Sequence, residues 1–299
     1  MTIGAYDGVH VGHQALLAEL GRRADAHDLE TVVITFDRHP ATVVRPDSAP
    51  LLLCDLDQKL ELLAAAGVAR TVVLPFDEER AAESAEEFVE EVLVRGVRAR
   101  VVAVGEDFHF GHGRRGTVAM LREMGSEAGF EVDGVGLWAA RAAGTSGPVS
   151  STRIRGLVAD GRVDEAAVLL GRWHQVRGPV VHGDARGGAE LGFPTANVAV
   201  PEGIALPAVG IYAGWYEGSD GVRRPAALSI GRRPTFYDGG GDLLLEAFLL
   251  DFSGDLYGDA GRVSFVERIR DELRFDSVDE LVDRIGDDVA RTRSILGTP

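Results

Sequence analysis

The distribution of hydrophobic residues changes character near the middle of the chain. Up to about residue 138, short runs rich in β-branched residues alternate with stretches of helical periodicity. The runs predict strands at residues 31–36, 71–74, 100–104 and 130–137, and the periodic stretches predict helices at 13–26, 56–66, 84–95 and 117–128. This alternation predicts an α/β doubly wound fold, in which helices cover both faces of a parallel sheet and ligands bind at the carboxyl ends of its strands.

The second half of the chain has a different pattern of hydrophobic runs and turn residues. A helical stretch at residues 151–171, broken near Asp160-Gly161, leads into short hydrophobic runs separated by glycine- and proline-rich turns. The runs predict strands at residues 176–182, 211–217, 226–230, 243–250 and 262–266, with Asp220-Gly221 as a hairpin signal. We expect a small antiparallel β-barrel, followed by a C-terminal helix from about Val278. The predicted domains are residues 1–170 and 171–299.

Composition narrows the classes of function. The net charge of −16 argues against a broad nucleic-acid surface, because such surfaces need clustered cations. Lys59 is the only lysine, which excludes a Walker A loop. The single Cys54 cannot form an internal disulfide, and no apolar run reaches the length of a membrane span. We therefore expect a cytoplasmic protein with small-molecule partners, present as a monomer or a weak homo-oligomer, without nucleic-acid or membrane partners.

The most informative motif is the decapeptide at residues 4–13, Gly-Ala-Tyr-Asp-Gly-Val-His-Val-Gly-His. It lies where a short strand feeds a helix, and Gly8 and Gly12 let the backbone approach a ligand closely. A helix N-terminus favours phosphate, and His10 and His13 can donate hydrogen bonds to phosphate oxygens as charge develops on them. The alternative is a glycine-rich turn with two surface histidines.

Two further motifs in this half have competing interpretations. Ser151, Thr152 and Arg153 open a helix, where hydroxyls and a guanidinium suit phosphate contacts, although an ordinary N-cap is the favoured explanation of the two hydroxyls taken alone. The stretch at residues 111–116 fits the dinucleotide-binding pattern G-x-G-x-x-G, with Asp133 about twenty residues further on. The first glycine of this pattern should follow the strand directly, whereas residues 106–110 intervene here, which disfavours a Rossmann oxidoreductase.

The predicted barrel also contains candidate chemistry. A glycine-rich loop at residues 183–190 runs toward Thr195 and Asn197, whose oxygen atoms could hold Mg²⁺ beside bound phosphates. Glu246 lies in an apolar strand and, by alternation, points opposite to Leu245. A carboxylate beside a nucleotide site could accept a proton from a hydroxyl, whereas the simpler interpretation is an outward-facing strand residue.

These motifs together resemble one family along essentially the whole chain, the bacterial bifunctional riboflavin kinase/FAD synthetases. The first half is similar to the FMN adenylyltransferase module through GAYDGVHVGH, TFDRHP, VGEDFHFG and SSTRIR. The second half is similar to the riboflavin kinase module through LGFPTAN, SIGRRPTF, LLEAFLLDF and GDLYG. The resemblance implies a nucleotidyltransferase domain followed by a kinase barrel, with ATP and Mg²⁺ used to convert riboflavin to FMN and FMN to FAD.

The resemblance also implies roles for individual residues. His10 and His13 would bind ATP phosphates during attack by the FMN phosphate, with Ser151, Thr152 and Arg153 acting from the opposite side. Thr195 and Asn197 would hold Mg-ATP, and Glu246 would be the base for the ribityl hydroxyl. The remaining candidate nucleotide-binding residues are other members of the same motifs: Gly4, Asp7, Gly8, Gly12, Asp107, Gly192 and Pro194.

Several departures from the family pattern leave alternatives open. Tyr6, Arg38 and Phe248 stand where the family usually has phenylalanine, proline and histidine, and only three residues precede Gly4 to form the first strand. A shortened strand would loosen the geometry of His10 and leave a riboflavin kinase alone. A non-catalytic flavin-binding regulator is a further alternative, as is a metal bound by His10, His13 and His39.

Overall fold

The computed structural model describes residues 1–135, 147–182, 195–232 and 243–298, and the chain forms two compact units, Met1–Ser151 and Thr152–Pro299. Residues 152–170 belong to the second unit, whereas the sequence analysis placed them in the first domain, so the domain boundary near residue 170 stays a prediction. No helix among these residues is long and apolar enough to cross a membrane.

The first unit is built from alternating strands and helices. Its strands are β1 (Thr2–Ile3), β2 (Val32–Phe36), β3 (Arg70–Leu74), β4 (Val101–Gly105), β5 (His109–Phe110), β6 (Gly116–Thr117) and β7 (Glu131–Val135). Its helices are α1 (Val11–Ala26), α2 (Ala41–Val44), α3 (Leu56–Ala65), α4 (Glu78–Ala82), α5 (Ala85–Phe88, continued as a π-helix over Val89–Gly96) and α6 (Val118–Ala128), with 3₁₀ turns at Pro46–Ser48 and His112–Arg114.

The predicted parallel sheet is confirmed. β2 pairs in parallel with β1 and β3, and β4 pairs in parallel with β7. Met1 joins the two groups, because its carbonyl accepts from the Ala103 amide at 2.9 Å and its amine donates to the Val101 carbonyl at 2.7 Å. Hydrogen bonds therefore run across the sheet in the order β3-β2-β1-β4-β7.

Alternation along β2 shows why helices cover both faces of this sheet. Val33 packs with Leu17 of α1 and Leu63 of α3, whereas Ile34 packs on the opposite face with Leu93 and Leu121. Because the strand is apolar on both faces, helices must pack on both sides of the sheet, as they do in a doubly wound fold. The carboxyl ends of β1, β2 and β4 share one edge of the sheet.

In its described residues the second unit contains two helices, of which the first begins at Ser151 of the first unit, then a barrel and a final helix. Its elements are α7 (Ser151–Ala159), α8 (Val163–Leu170), β8 (His174–Val181), β9 (Thr195–Val198), β10 (Gly210–Glu217), β11 (Arg223–Arg232), β12 (Leu243–Leu249), β13 (Ala260–Arg270) and α9 (Val278–Leu296). The six strands close into an antiparallel barrel in the order β10-β11-β12-β9-β8-β13. This confirms the predicted barrel and C-terminal helix, but β9 was missed as a strand because glycine and proline precede it.

The barrel interior is filled with side chains. Tyr212, Leu228, Leu245, Ala247 and Phe265 are almost completely buried there. Residues that alternate with these on each strand therefore face outward. Outside the barrel, the Arg270 guanidinium holds the Asp288 carboxylate of α9 through contacts of 2.9 and 2.6 Å.

Candidate functional site

The two histidines of the first motif lie together at the carboxyl end of β1. His10 is the N-cap of α1, and its Nδ1 accepts a hydrogen bond from the His13 amide at 3.3 Å. The two rings are stacked, with centroids 3.6 Å apart and planes 11° from parallel. The helix N-terminus and both imidazoles therefore occupy one place, which suits a phosphate group.

The backbone of this turn, residues 4–10, has an unusual conformation. Gly8 has a φ of +78°, as expected for glycine, but Tyr6 and Val9 also have positive φ values of +50° and +35°. A β-branched residue rarely adopts that region, and holding it there costs on the order of 1–3 kcal/mol. Contacts from the rest of the unit must therefore keep the turn in place.

Those contacts come from two distant segments, residues 53–54 and Ser151. The Asp7 carboxylate accepts from the Leu53 amide at 2.9 Å, and the Gly8 amide donates to the Cys54 sulfur at 3.2 Å. The Ser151 hydroxyl donates to the Asp7 carbonyl at 2.9 Å. Asp7 is buried, so its carboxylate acts as an anchor for the turn, while its predicted nucleotide contact stays a prediction.

Two departures from the family pattern, Tyr6 and the short first strand, are accommodated in the surroundings of Gly4. A Cβ at Gly4 would lie 3.1 Å from the Tyr6 ring, so the absence of a side chain makes room for that ring. The Tyr6 hydroxyl is buried but donates to Thr2 Oγ1 at 2.8 Å, which explains how tyrosine is accommodated where the family usually has phenylalanine. β1 has only two residues, yet both are buried and hydrogen-bonded to β2 in register.

The electrostatics of the turn favour a neutral His13. The pKa of the His13 imidazole is held well below its usual range. The main cause is burial, and the nearby His10 lowers it further. Its Nδ1 atom is buried and has no hydrogen-bond partner in the part of the chain that the structure describes. A buried polar atom without a partner is costly, and a ligand can relieve that cost.

The other predicted residues of the first motif set lie in different surroundings. Asp107 is exposed on the loop that follows β4, at the same edge of the sheet as the histidine turn. Within the VGEDFHFG motif, Phe110 is buried in the core and Phe108 stacks on it with ring centroids 5.5 Å apart, which is core packing. Thr152 and Arg153 follow Ser151 at the start of α7, in the second unit.

Two alternatives from the sequence find no support in the described residues. The G-x-G-x-x-G stretch lies in the hairpin between β5 and β6, which are antiparallel, and not between a parallel strand and its crossover helix. This hairpin explains why the pattern does not mark a dinucleotide site. The described part of the chain also contains no group of three His, Cys, Asp or Glu side chains placed to hold a metal ion, so His39 does not complete a site with His10 and His13.

In the barrel, a row of polar residues crosses three neighbouring strands. Glu246 of β12 lies directly opposite Asn197 of β9 on one side and Ser229 of β11 on the other. Thr195 lies opposite Phe248, two positions further along the same face. Leu245 and Ala247 are buried in the barrel interior, so the row lies on its outer face, as the alternation predicted for Glu246.

Burial affects the chemistry of this row. Glu246 is half-buried, and desolvation raises the pKa of its carboxyl group above the usual range for glutamate. A carboxylate with a raised pKa is a better proton acceptor than an exposed one. Gly192, Pro194 and the glycine-rich loop at residues 183–190 lie outside the described residues.

Sequence reasoning missed several residues that position these sites. Cys54 was considered only for a disulfide, although its sulfur accepts from the Gly8 amide of the histidine turn, and Ser229 was noted only within a longer motif. Lys59 was used only to exclude a Walker A loop, yet it is buried near the carboxyl end of β2. Its place on the same helical face as Leu63 was a signal that could have found it.

The fold and the two sites together define a class of protein. A doubly wound unit with a phosphate-suited histidine turn, joined to a barrel with a carboxylate beside Thr195 and Asn197, is the architecture of a two-domain nucleotide-dependent transferase. The comparisons with known proteins narrow this class. The family model for FAD synthetase matches residues 1–153, and the model for riboflavin kinase matches residues 170–296.

Full-length relatives agree with both matches. The chain is 37% identical to the bifunctional riboflavin kinase/FMN adenylyltransferase of Escherichia coli K12, over 99% of this chain and 92% of the relative. It is 38% identical to the protein of the same name from Pseudomonas fluorescens, over 98% of this chain and 92% of the relative. The chain therefore belongs to the family of bifunctional riboflavin kinase/FMN adenylyltransferases.

A solved structure is also similar along nearly the whole chain. A protein from Streptococcus pneumoniae, described as a macrolide-efflux protein, superposes with a TM-score of 0.85 at 34% identity. The superposition covers 98% of this chain and 93% of that protein. The efflux description belongs to that protein, and both family models matched by this chain are those of flavin-nucleotide enzymes.

Proposed function

We propose that the chain makes FAD from riboflavin in two steps, with one active site in each unit. The barrel transfers the γ-phosphoryl group of ATP to the terminal ribityl hydroxyl of riboflavin, giving FMN and ADP. The sheet unit joins the phosphate of FMN to the α-phosphorus of a second ATP, giving FAD and pyrophosphate. The observation that carries this proposal is that each unit has its own candidate site: His10 and His13 stack at the start of α1 in the first unit, and Glu246 lies directly opposite Asn197 in the barrel.

In the barrel, Glu246 is the base. Its carboxylate accepts the proton of the ribityl hydroxyl while the hydroxyl oxygen attacks the γ-phosphorus and ADP leaves. The half-buried position and raised pKa of Glu246 support this role. Asn197 lies directly opposite Glu246, so a nucleotide held by Asn197 lies beside the base.

Mg²⁺ fits the donor atoms of this face. Thr195 and Asn197 offer a hydroxyl and an amide oxygen, which are hard ligands of the kind that Mg²⁺ prefers, and phosphate oxygens commonly complete its coordination. When bound, Mg²⁺ neutralises negative charge on the phosphates. Gly192 and Pro194 are proposed to line the same nucleotide site.

In the sheet unit, the histidine turn stabilises charge on the transferring phosphate. His10 and His13 donate N–H groups to ATP phosphate oxygens as FMN attacks the α-phosphorus and pyrophosphate leaves. Their stacking and the buried, unpartnered Nδ1 of His13 in the described part of the chain support this role. Gly4, Gly8 and Gly12 let the backbone come close to the nucleotide, and Asp7, Asp107 and Ser151 complete the part of the proposed site that lies in this unit. The phosphate contacts of Thr152 and Arg153, in the second unit, stay predictions.

The proposal extends to partners and location. The partners are riboflavin, FMN and ATP, without nucleic acid or membrane. The net charge of −16 supports the absence of a nucleic-acid partner. We propose a cytoplasmic monomer or weak homo-oligomer, consistent with the lone, buried Cys54.

A time course with separated flavins tests the two-step reaction. The protein is incubated with riboflavin, ATP and Mg²⁺, and in parallel with FMN, ATP and Mg²⁺. We expect FMN to form first and FAD to follow in the first reaction, and FAD to form directly in the second. If riboflavin is converted to FMN but no FAD forms in either reaction, the protein has riboflavin kinase activity only. If no product forms at all, a flavin-binding regulator is favoured.

A further inference from the structure

Lys59 is the only lysine of the chain, and the fold buries it. It lies on α3 with 7% of its surface exposed, and its ammonium group reaches the carboxyl end of β2. There it donates to the Phe36 carbonyl at 3.1 Å and contacts Thr35 Oγ1 at 3.5 Å. Lysine is almost never buried to this extent without a partner of opposite charge.

The contacts of the ammonium group do not supply that opposite charge. In the part of the chain that the structure describes, its hydrogen-bond partners are two uncharged oxygens. Burial lowers the pKa of Lys59, and the neighbouring Cys54, Asp7 and Asp37 act in the opposite direction. The Asp37 carboxylate already contacts the Arg38 guanidinium at 3.1 Å. Of these three neighbours, Asp7 is the one that belongs to the histidine turn, so the charge of Lys59 acts on the turn through Asp7.

Asp7 and the end of β2 both connect Lys59 to the histidine turn. The Asp7 carboxylate anchors the turn through the Leu53 amide at 2.9 Å. The Thr35 hydroxyl, in contact with Lys59, donates to the Ala5 carbonyl of the turn at 3.3 Å. Ala5, Asp7, Cys54 and Lys59 also line one pocket at this edge of the sheet. The ammonium group thus reaches the turn by contact through Thr35 and by charge through Asp7.

We propose that Lys59 is a positioning residue of the adenylyltransferase site, which holds the turn bearing His10 and His13 by balancing the charge of Asp7 and tying down the end of β2. The inference rests on the proposed role of the two histidines. Lys59 itself takes no part in bond making. It keeps the imidazoles where the α-phosphate is attacked, and a displacement near 1 Å there costs on the order of 100-fold in rate.

The first test compares Lys59→Met with Lys59→Arg. Methionine keeps the length of the side chain and removes its charge, so we expect kcat for FMN adenylylation to fall on the order of 10-fold or more. KM for FMN and for ATP should stay within about 3-fold, because a positioning residue does not contact substrate. Arginine restores the charge and should recover most of the rate. Arg70→Met, which breaks an exposed ion pair with Glu30 in the same unit, is the matched control and should change neither reaction.

A double-mutant cycle tests whether Lys59 acts through Asp7. If the two residues form one unit, Asp7→Asn combined with Lys59→Met should lower kcat no further than the more damaging single change. Effects that multiply would show independent roles and overturn the inference. A rise in KM for FMN or ATP at unchanged kcat would make Lys59 a substrate contact, and a parallel loss of kinase activity would make its role one of general stability.

A measurement on the intact protein covers the case in which Lys59→Met does not fold. Lysine labelled with ¹³C at Cε gives one side-chain NMR signal, because the chain has one lysine. The pKa read from that signal should be lower in Asp7→Asn than in the wild type, since the balancing charge is gone. An unchanged pKa would overturn the inference. If the wild type itself makes no FAD from FMN, the proposed function fails first, and that result is separate from any effect of Lys59.

Discussion

The two sites of this protein are held in place by different means. In the barrel, Asn197, Glu246 and Ser229 stand in one row because their strands pair in register, so backbone hydrogen bonds alone place them. In the sheet unit, the histidine turn includes two non-glycine residues with positive φ values. It depends on side-chain contacts from Cys54, Asp7 and Ser151.

This difference determines which substitutions should matter. A site built by strand register tolerates changes behind it as long as the barrel core stays packed, because register is fixed by many equivalent contacts. A turn held by individual side chains loses its geometry when one of them is removed. We therefore expect damaging substitutions to be confined to the polar row in the barrel, and to extend to surrounding residues in the sheet unit.

The largest expected effect is the loss of kinase activity in Glu246→Gln. Glutamine keeps the shape of the side chain but cannot accept the proton, and general-base catalysis contributes about 10²- to 10⁴-fold. FMN formation from riboflavin should fall by that range, while FAD formation from added FMN should continue at the wild-type rate. Glu267→Gln, at an exposed carboxylate of β13, is the matched control. Loss of both reactions in Glu246→Gln would contradict independent sites.

For His10→Ala we expect the opposite result, in which adenylylation is lost and kinase activity is kept. Removing one preorganised donor to a developing charge costs on the order of 10²- to 10³-fold. Conversion of FMN to FAD should fall by that amount, with riboflavin phosphorylation unchanged in the same preparation. His27→Ala controls for loss of an exposed imidazole at the other end of α1. Equal losses in both reactions of His10→Ala would show that the two units fail together.

The sequence predicted the barrel site more completely than the turn. Alternation around Leu245 placed Glu246 on the outer face of its strand, and the structure confirms that orientation. The missing piece was β9: Thr195 and Asn197 were interpreted as the end of a loop, so their register with Glu246 was not foreseen. Register depends on which strands become neighbours, and that information is not local.

For the sheet unit, the sequence identified the motif but not its supports. Local pattern predicted the strand-to-helix turn and both histidines. The contacts that hold it come from segments 46 residues further along, at Leu53 and Cys54, and 144 residues further along, at Ser151. No periodicity connects positions so far apart. A buried polar residue on an apolar helical face, such as Lys59 beside Leu63, was the available signal.

A smaller effect is expected when one support of the turn is removed. Cys54→Ala deletes the sulfur that accepts from the Gly8 amide and leaves that buried donor unpaired. We expect FMN adenylylation to fall on the order of 10-fold, through kcat, with kinase activity unchanged. Cys54→Ser keeps an acceptor and should retain more of the rate. An adenylylation rate in Cys54→Ala equal to that of the wild type would show that the turn does not depend on this contact.

The smallest effect is a difference in pH dependence between the two reactions. The base must be ionised to accept a proton, and burial raises the pKa of Glu246, so kinase activity should be lost as the pH falls through that raised value. The acidic limb of kcat/KM for riboflavin should therefore lie above the ordinary glutamate pKa of about 4.3. The pKa of His13 is instead held well below its usual range, by burial first and by the nearby His10 second, so adenylylation should show no acidic limb at the ordinary histidine pKa of about 6.5. Profiles of both reactions measured on one preparation compare the sites directly. A kinase limb at or below the ordinary glutamate value would mean that the row on the barrel is more open to water than its burial indicates.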